Sequence, residues 1–296
     1  MIWSQWPDLN LPQSLTCAPT NGKAPEPEDL KRITFFVPLY MGGDAAIADI
    51  PKMGSLKVVQ SLLAGVENLK KIVPRSVVLC NATGVHDEST SELAMGLAIA
   101  TRRGFSQFAA SQREGVWNHS RNFALTDSTV AIVGYGSIGK NIHRKLGGFD
   151  VEVKAFTRSG RDGSSNLEDF DRRIGDFDVI ILIMPLNSES HHFMSATRLA
   201  RMKNGSTLIN VARGGIVDTE ALCNELYSGR MSAGLDVTDP EPLPKNHRLW
   251  AAPNLIITPH VGGDTSAFER RARALVESQA ARFASGELLL NIVPRR

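Results

Sequence analysis

The stretch TVAIVGYGSIGK, residues 129–140, constrains the fold more than any other part of this 296-residue chain. Its apolar, mostly β-branched run at 130–133 predicts a short buried strand. Glycines then follow in the pattern G-x-G-x-x-G, and residues 142–146 continue with the spacing of a helix. The glycines of the pattern are Gly134, Gly136 and Gly139. A strand, a glycine turn and a helix in this order are the setting in which the pattern binds a dinucleotide.

Each glycine of the turn is expected to serve a different purpose. Gly134 allows the tight turn, Gly136 lets a pyrophosphate approach the backbone, and Gly139 lets helix and strand pack closely. The N–H groups of Ser137 and Ile138 would then point at the phosphates, assisted by the helix dipole. The bare spacing also occurs in ordinary strand–helix turns, so the prediction rests on the elements that flank it.

Composition excludes several classes of protein. The chain is 42% hydrophobic and 22% charged with a net charge of +2, which argues against nucleic-acid and membrane-surface binding. Its apolar runs are too short to span a bilayer, and the N-terminal segment lacks the features of a signal peptide. The scattered Cys17, Cys80 and Cys223 offer no metal-binding spacing and fit a reducing compartment. We therefore expect a cytoplasmic protein with neither membrane nor nucleic-acid partners.

Short apolar runs alternate with helical segments along most of the chain, which predicts an α/β fold with doubly wound parallel sheets. Residues 1–31 carry little periodic signal and are interpreted as loop with one irregular strand. The expected strands before the glycine turn are 33–37, 56–59 and 77–79. The expected strands after the turn are 151–156, 179–184, 207–211, 233–237 and 255–258.

Two helices stand out from the pattern. One long helix is predicted from about residue 89 to residue 113, with Asp87 as its N-terminal cap. We expect it to connect two domains and to contact a partner subunit. The other is an amphipathic helix over 267–283, whose arginines are interpreted as a solvated face.

The end of the second strand of the dinucleotide motif carries the cofactor prediction. An NAD site usually has a carboxylate there to bind the ribose hydroxyls. Glu152 lies at the wrong end of that strand, which instead ends in Thr157. Hydroxyl and guanidinium groups at Thr157, Arg158 and Ser159 suit a 2′-phosphate, so NADP is preferred, with NAD as the alternative. The simpler interpretation is that this is an ordinary basic loop in a protein that uses either cofactor.

Three side chains that could take part in acid–base or anion-binding chemistry each follow a predicted strand. Arg213, Glu241 and His260 come after the strands at 207–211, 233–237 and 255–258. Ligands bind at the carboxyl ends of strands in open α/β sheets, so these three side chains could converge. Taken singly, each has a simpler interpretation, as a surface charge, a turn residue and a packed histidine.

Together with the glycine turn, several ordered pieces carry a resemblance to a known family. The pieces are Ala64-Gly-Val-Glu-Asn68, Val133-Gly-Tyr-Gly-Ser-Ile-Gly139, Pro185-Leu-Asn-Ser-Glu-Ser190, Asn210-Val-Ala-Arg-Gly-Gly215, Leu235-Asp-Val-Thr-Asp-Pro-Glu-Pro242 and Thr258-Pro-His-Val-Gly-Gly263. From about residue 33 to residue 293 the chain resembles the D-isomer-specific 2-hydroxyacid dehydrogenases. The resemblance implies a Rossmann cofactor domain, 94–267, inserted into a smaller flavodoxin-like substrate domain formed by 1–93 and 268–296. It also implies a homodimer.

The resemblance also implies roles for individual residues. The catalytic Arg, Glu and His fall on Arg213, Glu241 and His260, and the loop that binds the substrate carboxylate falls on Ala64 and Gly65. The implied cofactor contacts, besides the glycine turn and the Thr157 loop, are Pro185, Ser190, Ala212, Asp236 and Gly262. The usual acidic ribose residue falls on Thr157, a departure that strengthens the NADP prediction.

The expected function is reduction of a small 2-oxo acid, with glyoxylate or hydroxypyruvate preferred, to the D-2-hydroxy acid by NADPH. His260 would donate the proton as general acid. Glu241 would orient the imidazole and raise its pKa, and Arg213 would hold the substrate carboxylate. The alternative is a nicotinamide-sensing interaction protein, similar to corepressor relatives, with little turnover.

The doublet His191-His192 raises the alternative of a metal site. Adjacent residues on a helix or strand point different ways, so the doublet is a poor chelate without other ligands. We therefore expect a surface pair and no metal.

Overall fold

The computed structural model describes residues 1–18, 20 and 24–294. The chain forms two compact units, unit 1 with Met1–His86 and Ser266–Arg296, and unit 2 with Asp87–Thr265. The first boundary falls seven residues before the predicted 93/94 limit, because Asp87 begins an unbroken helix that ends at Arg102. The second boundary falls two residues before the predicted 267/268 limit.

The secondary structure alternates between short strands and helices. The strands are β1 (Ile2–Trp3), β2 (Phe35–Phe36), β3 (Val58–Gln60), β4 (Val78–Cys80), β5 (Thr129–Val133), β6 (Glu152–Phe156), β7 (Val179–Leu182), β8 (Thr207–Asn210), β9 (Ser232–Leu235) and β10 (Leu255–Ile257). The helices are α1 (Glu67–Ile72), α2 (Asp87–Arg102), α3 (Phe105–Arg113), α4 (Ser137–Leu146), α5 (Leu167–Arg173), α6 (Ala196–Arg201), α7 (Thr219–Tyr227) and α8 (Phe268–Ser285). Among the described residues, no helix is both long and apolar enough to cross a bilayer.

Unit 1 is built on a parallel sheet with the strand order β1-β2-β3-β4. A parallel bridge between Ile2 and Cys17 adds one more chain segment beside β1. Counted with that segment, the order along the chain becomes 2-1-3-4-5, which is the flavodoxin-like order. The flavodoxin-like prediction for this part of the chain is therefore confirmed.

The N-terminal residues contribute more to unit 1 than the sequence indicated. Ile2 and Trp3 form an internal strand and are 0% and 1% exposed. A strand of two residues is too short to show the alternation by which strands are recognised, which explains why residues 1–31 read mainly as loop.

Both faces of the unit 1 sheet are covered by apolar side chains. Phe35 and Val58 pack on the face that includes α8, whereas Phe36 and Val59 pack on the other. Successive side chains of a strand point to opposite faces, so each pair of neighbours contributes to two cores.

Unit 2 is built on a six-stranded parallel sheet with the order β10-β9-β8-β7-β5-β6. A parallel bridge between Phe156 and Ser165 places a further segment beside β6. With that segment as the third strand, the order begins 3-2-1-4-5-6, as in dinucleotide-binding folds. The strand order reverses between β5 and β7, so a ligand crevice is expected at the carboxyl ends of these strands.

The predicted strands of unit 2 are confirmed to within a few residues, but the single long helix is wrong. The helix ends at Arg102, and α3 begins at Phe105 after Gly104. Gly104 has φ 69°, a left-handed conformation that glycine adopts readily and that interrupts a right-handed helix.

Candidate active site

The glycine turn joins β5 to α4 at the carboxyl edge of the unit 2 sheet. Gly134 has φ 106°, and a Cβ added there would lie 2.3 Å from the carbonyl oxygen of Ile183. A Cβ at Gly139 would lie 2.2 Å from the carbonyl oxygen of Gly134. In contrast, a Cβ at Gly136 would meet nothing within 4 Å. Two glycines therefore allow close backbone packing, and the third leaves open space in front of the turn.

Helix α4 presents its N-terminus to that open space. It begins at Ser137, directly after Gly136, and no side chain caps it among the described residues. The first N–H groups of a helix have no intrahelical acceptor and lie at the positive end of its dipole. Open space beside such N–H groups fits the pyrophosphate of a dinucleotide.

The loop after β6 is closed by the hydroxyl of Thr157. Its Oγ1 accepts hydrogen bonds from the N–H groups of Gly160 at 3.0 Å and Arg161 at 3.4 Å, and lies 2.8 Å from Oγ of Ser164. Glu152 is the first residue of β6, as expected, and so lies at the opposite end of the strand from this loop. No carboxylate thus occupies the position that follows the strand.

Arg158 and Ser159 are exposed on the same loop. Nη1 of Arg158 lies 2.8 Å from Oε2 of Glu189, and both side chains are open to solvent. Glu189 belongs to the segment Pro185–Ser190, which was predicted to line the cofactor. The arginine proposed for a 2′-phosphate therefore has a carboxylate as its present partner.

The central pair of the site is formed by His260 and Glu241. Nδ1 of His260 lies 2.6 Å from Oε1 of Glu241, and both side chains are partly exposed. The hydrogen bond from His260 lowers the pKa of Glu241 below its usual value, and the charge of Arg213 acts in the same direction. The structure therefore brings the three predicted catalytic residues together within unit 2.

The backbone of His260 is held by Asp236, which follows β9 directly. Asp236 is 3% exposed, and its carboxylate accepts hydrogen bonds from the N–H groups of Val261 and Gly262, each at 2.9 Å. It also accepts one from Oγ1 of Thr258 at 2.6 Å. These bonds span both sides of His260, whose φ of 54° is uncommon for a residue with a side chain. Asp236 and Gly262, predicted as cofactor contacts, thus fix the loop that carries the histidine.

Arg213 is placed by a close contact between two loops. A Cβ at Gly214 would lie 1.9 Å from the carbonyl oxygen of Thr238, so only glycine allows this approach. The side chain of Asn210, at the end of β8, accepts from the N–H of Ala212 at 3.1 Å and donates to the carbonyl of Arg213 at 2.9 Å. The Asn210 hydrogen bonds fix the chain around Arg213. The contact at Gly214 fixes it beside Thr238, in the segment that leads to Glu241.

The remaining predicted contacts differ in what their side chains do. Pro185 is exposed, whereas Ser190 is 2% exposed. The hydroxyl of Ser190 donates to the carbonyl of Pro185 and accepts from the N–H of Asn187, both at 2.7 Å. Ser190 therefore stabilises the turn of this segment from inside. Ala64 and Gly65 belong to unit 1, in the loop between β3 and α1.

The sequence did not predict that Asn210, Thr258 and Asp236 hold the loops that carry Arg213 and His260. A signal was present, because Asn210 is a polar residue at the end of the fully buried β8 and Asp236 directly follows three buried residues of β9. Buried polar groups are nearly always hydrogen-bonded, so such residues are candidates for holding loops.

Comparison with known proteins identifies the family that this chain resembles. The family model described as D-isomer specific 2-hydroxyacid dehydrogenase, NAD binding domain, matches residues 95–262. A hydroxypyruvate reductase of Thermotoga maritima is 32% identical over 234 residues, which cover 76% of each chain. A glyoxylate reductase of Thermococcus litoralis is 30% identical over 255 residues, 80% of this chain and 77% of the relative.

A solved structure shares the fold over most of its length. It is an NADPH-dependent glyoxylate/hydroxypyruvate reductase of Sinorhizobium meliloti in complex with NADP and sulfate. The alignment has a TM-score of 0.77 and 28% identity, and covers 90% of this chain and 88% of the other.

Proposed function

The chain belongs to the D-isomer-specific 2-hydroxyacid dehydrogenase family, and on that premise we propose that it reduces a small 2-oxo acid to the D-2-hydroxy acid with NADPH. The general activity, NAD(P)-dependent reduction of the 2-hydroxyacid dehydrogenase type, is that of the family and its relatives. The observation that carries the catalytic part of the proposal is the 2.6 Å contact between His260 and Glu241 beside Arg213.

His260 is the proposed proton donor. Reduction of a 2-oxo acid requires a hydride at the carbonyl carbon and a proton at the carbonyl oxygen. Nδ1 of His260 donates to the Glu241 carboxylate, so Nε2 is the nitrogen that would hold the transferred proton. Glu241 fixes the orientation of the ring through this hydrogen bond. A general acid of this kind contributes about 10²–10⁴ in rate.

Arg213 is the proposed carboxylate-binding residue. A guanidinium presents a planar fork of donors that matches a carboxylate, and it can polarise the adjacent carbonyl. The hydrogen bond from Asn210 to the carbonyl of Arg213 and the close approach of Gly214 to Thr238 fix the backbone that carries this side chain. Ala64 and Gly65 are proposed to bind a substrate carboxylate through their backbone N–H groups.

The dinucleotide would be held by residues of unit 2. Its pyrophosphate would lie on the N–H groups of Ser137 and Ile138, in the space left by Gly136. When bound it supplies the hydride, and the protein supplies placement. The segments around Pro185, Ala212 and Gly262 follow β7, β8 and β10 at the same sheet edge, which supports their proposed place beside the cofactor.

We propose NADP as the preferred cofactor. A hydroxyl residue, Thr157, follows β6 where a carboxylate would repel a phosphate, and Arg158 and Ser159 are exposed beside it. The Sinorhizobium meliloti reductase of the same fold is described as NADPH-dependent. Glyoxylate and hydroxypyruvate are the proposed substrates because the relatives named above are reductases of these acids.

A homodimer in the cytoplasm is also proposed. Large apolar side chains lie open to solvent from the start of α3 to the segment after it, with Trp117 95% exposed. The others are Phe105, Val116 and Phe123. Apolar patches of this kind mark association surfaces, and sedimentation equilibrium of the wild type against Trp117→Ser would test this one. Cys17, Cys80 and Cys223 are free thiols, which fits a reducing compartment.

The direct test is steady-state oxidation of NADPH and NADH with glyoxylate, hydroxypyruvate, pyruvate and a bulkier 2-oxo acid. The proposal expects turnover with the small acids, a higher kcat/KM for NADPH, and D-glycerate as the product from hydroxypyruvate. Cofactor binding without reduction of any acid in this panel would contradict it.

A further inference from the structure

We propose that His191, His192 and Asp239 form a binding site for a transition-metal dication on unit 2, with Zn²⁺ as the probe. One potential ligand atom from each of the three lies within 4.8 Å of the others, and all three side chains are exposed. Two imidazoles and one carboxylate are ligands that zinc accepts, with water completing a tetrahedral shell. None of the three residues belongs to the His260–Glu241 pair.

The backbone explains why this doublet differs from the expectation for adjacent residues. His192 has φ 50°, in the left-handed region, so the pair follows neither strand nor helix geometry. As a result the two rings lie on the same side, with centroids 4.0 Å apart and planes inclined by 24°. The rule that adjacent side chains point different ways, which holds for helices and strands, therefore does not apply to this pair.

The third ligand comes from a different loop. A Cβ on Gly215 would lie 3.5 Å from Oδ2 of Asp239 and 3.6 Å from Cδ2 of His191, so both groups flank the same glycine. The missing side chain at Gly215 leaves room for them to approach each other. Asp239 thus supplies the additional ligand that the doublet lacks by itself.

Hydrogen bonds fix the backbone of all three residues. The N–H of His191 donates to the carbonyl of Asn187 at 2.9 Å, and that of His192 donates to the carbonyl of Gly215 at 2.8 Å. The carbonyl of Asp239 accepts from Oγ1 of Thr219 at 2.9 Å. Ligand atoms of a tetrahedral zinc are about 3.4 Å apart, given bonds near 2.0–2.1 Å. Rotation of exposed side chains is sufficient to close the remaining gap.

Bound metal would connect two functional segments. His191 and His192 follow the segment Pro185–Ser190, and Asp239 lies two residues before Glu241. Imidazole ligands favour Zn²⁺, Ni²⁺ or Cu²⁺, whereas Mg²⁺ prefers oxygen ligands and retains its water. We therefore expect selectivity for the first group of ions.

Isothermal titration calorimetry of the wild-type protein with Zn²⁺ alone tests the site. We expect one Zn²⁺ per chain with a micromolar Kd, no heat with Mg²⁺, and at least a ten-fold weaker Kd for His192→Ala and for Asp239→Asn. His119→Ala, an exposed histidine elsewhere in unit 2, is the matched control and should bind like the wild type. Unchanged melting temperatures without metal would show that the variants are folded.

Hydrogen exchange provides a second readout, because a bridging ion should slow amide exchange in residues 187–192 and 238–241 together. The proposal is overturned if the wild type binds no Zn²⁺ at 100 µM, or if binding persists unchanged in both variants. It is also overturned if Asp239→Asn binds like the wild type, since the three-ligand site would then not exist. None of these measurements depends on turnover, so they are independent of the proposed function.

Discussion

Nδ1 of His260 lies 2.6 Å from Oε1 of Glu241, although the two residues are nineteen positions apart in the chain. They meet because β9 and β10 are parallel neighbours, and each residue lies in the loop that follows one of these strands. The carboxylate is therefore placed against the imidazole by the sheet itself. The predictions below follow from this pair and from the contacts that surround it.

Glu241→Gln should reduce kcat by roughly ten- to a hundred-fold. This loss is smaller than the ~10²–10⁴ expected when a general acid is removed completely, because His260 is still present. The amide keeps an acceptor for Nδ1 but replaces a charge-assisted hydrogen bond with a weaker neutral one, so the imidazole is held less firmly. Steady-state kinetics with saturating NADPH measures the effect. Glu114→Gln, a change of an exposed glutamate after α3, is the control and should leave kcat unchanged. A Glu241→Gln enzyme with the wild-type kcat would show that the pair has no catalytic role.

Arg158→Ala should raise the KM for NADPH about ten-fold or more and leave the KM for NADH nearly unchanged, because only NADPH carries the 2′-phosphate. Glu189→Gln should act in the opposite direction, since it removes the carboxylate that now pairs with Arg158 at 2.8 Å. The two variants together separate a phosphate contact from a general effect on the loop. Equal changes in KM for both cofactors would rule out the assignment of Arg158.

Gly136→Ala and Gly139→Ala should have different consequences, although the two glycines are only three residues apart in the same motif. The new methyl at Gly136 meets no protein atom within 4 Å, so the melting temperature should stay unchanged while the Kd for NADPH rises at least ten-fold. The methyl at Gly139 would lie 2.2 Å from a backbone oxygen, so that variant should lose stability by about 1–3 kcal/mol or more. Thermal unfolding and fluorescence titration with NADPH distinguish them. Tight cofactor binding by Gly136→Ala would contradict the proposed phosphate position.

Asp171→Asn should lower the free energy of unfolding at pH 7 by at most about 1 kcal/mol, because the Asp171–Arg198 pair is partly exposed. Hydrogen bonds from Arg198 lower the pKa of Asp171 below its ordinary value. A carboxyl with a lower pKa in the folded state stabilises the protein above its unfolded pKa, about 3.9, and loses this effect as the pH falls through the folded pKa.

Urea unfolding between pH 7 and pH 3 measures that dependence. The difference between wild type and Asp171→Asn should be constant from pH 7 to about pH 5 and should shrink below about pH 4. A difference that grows on acidification would mean that the sign of the pKa shift is wrong.

The strands and the chemistry at their ends were predictable from sequence because both depend on local patterns. The run before Gly134 and the polar residues after β8, β9 and β10 are visible without coordinates. In contrast, the strand at Ile2–Trp3 is defined by its partners on either side and has too few residues to show a period. The helix break at Gly104 depends on one left-handed residue in an otherwise helical pattern.

Long-range contacts account for the rest of what the sequence did not reveal. Asp236 reads as one more polar residue after a strand, yet its carboxylate accepts bonds from a loop more than twenty residues away. Likewise, the approach of Asp239 to His191 and His192 depends on the fold and on the backbone conformation of His192. The local sequence shows neither which loop Asp236 holds nor which residue meets the two histidines.

The most direct test of the catalytic proposal is the single-turnover rate of NADPH oxidation with glyoxylate by His260→Gln, measured beside its Kd for NADPH. We predict a rate at least about 10²-fold below that of the wild type, because the variant lacks the proton donor, with NADPH affinity within two-fold of the wild type. Full activity in His260→Gln would contradict the account, because proton donation would then belong to another group.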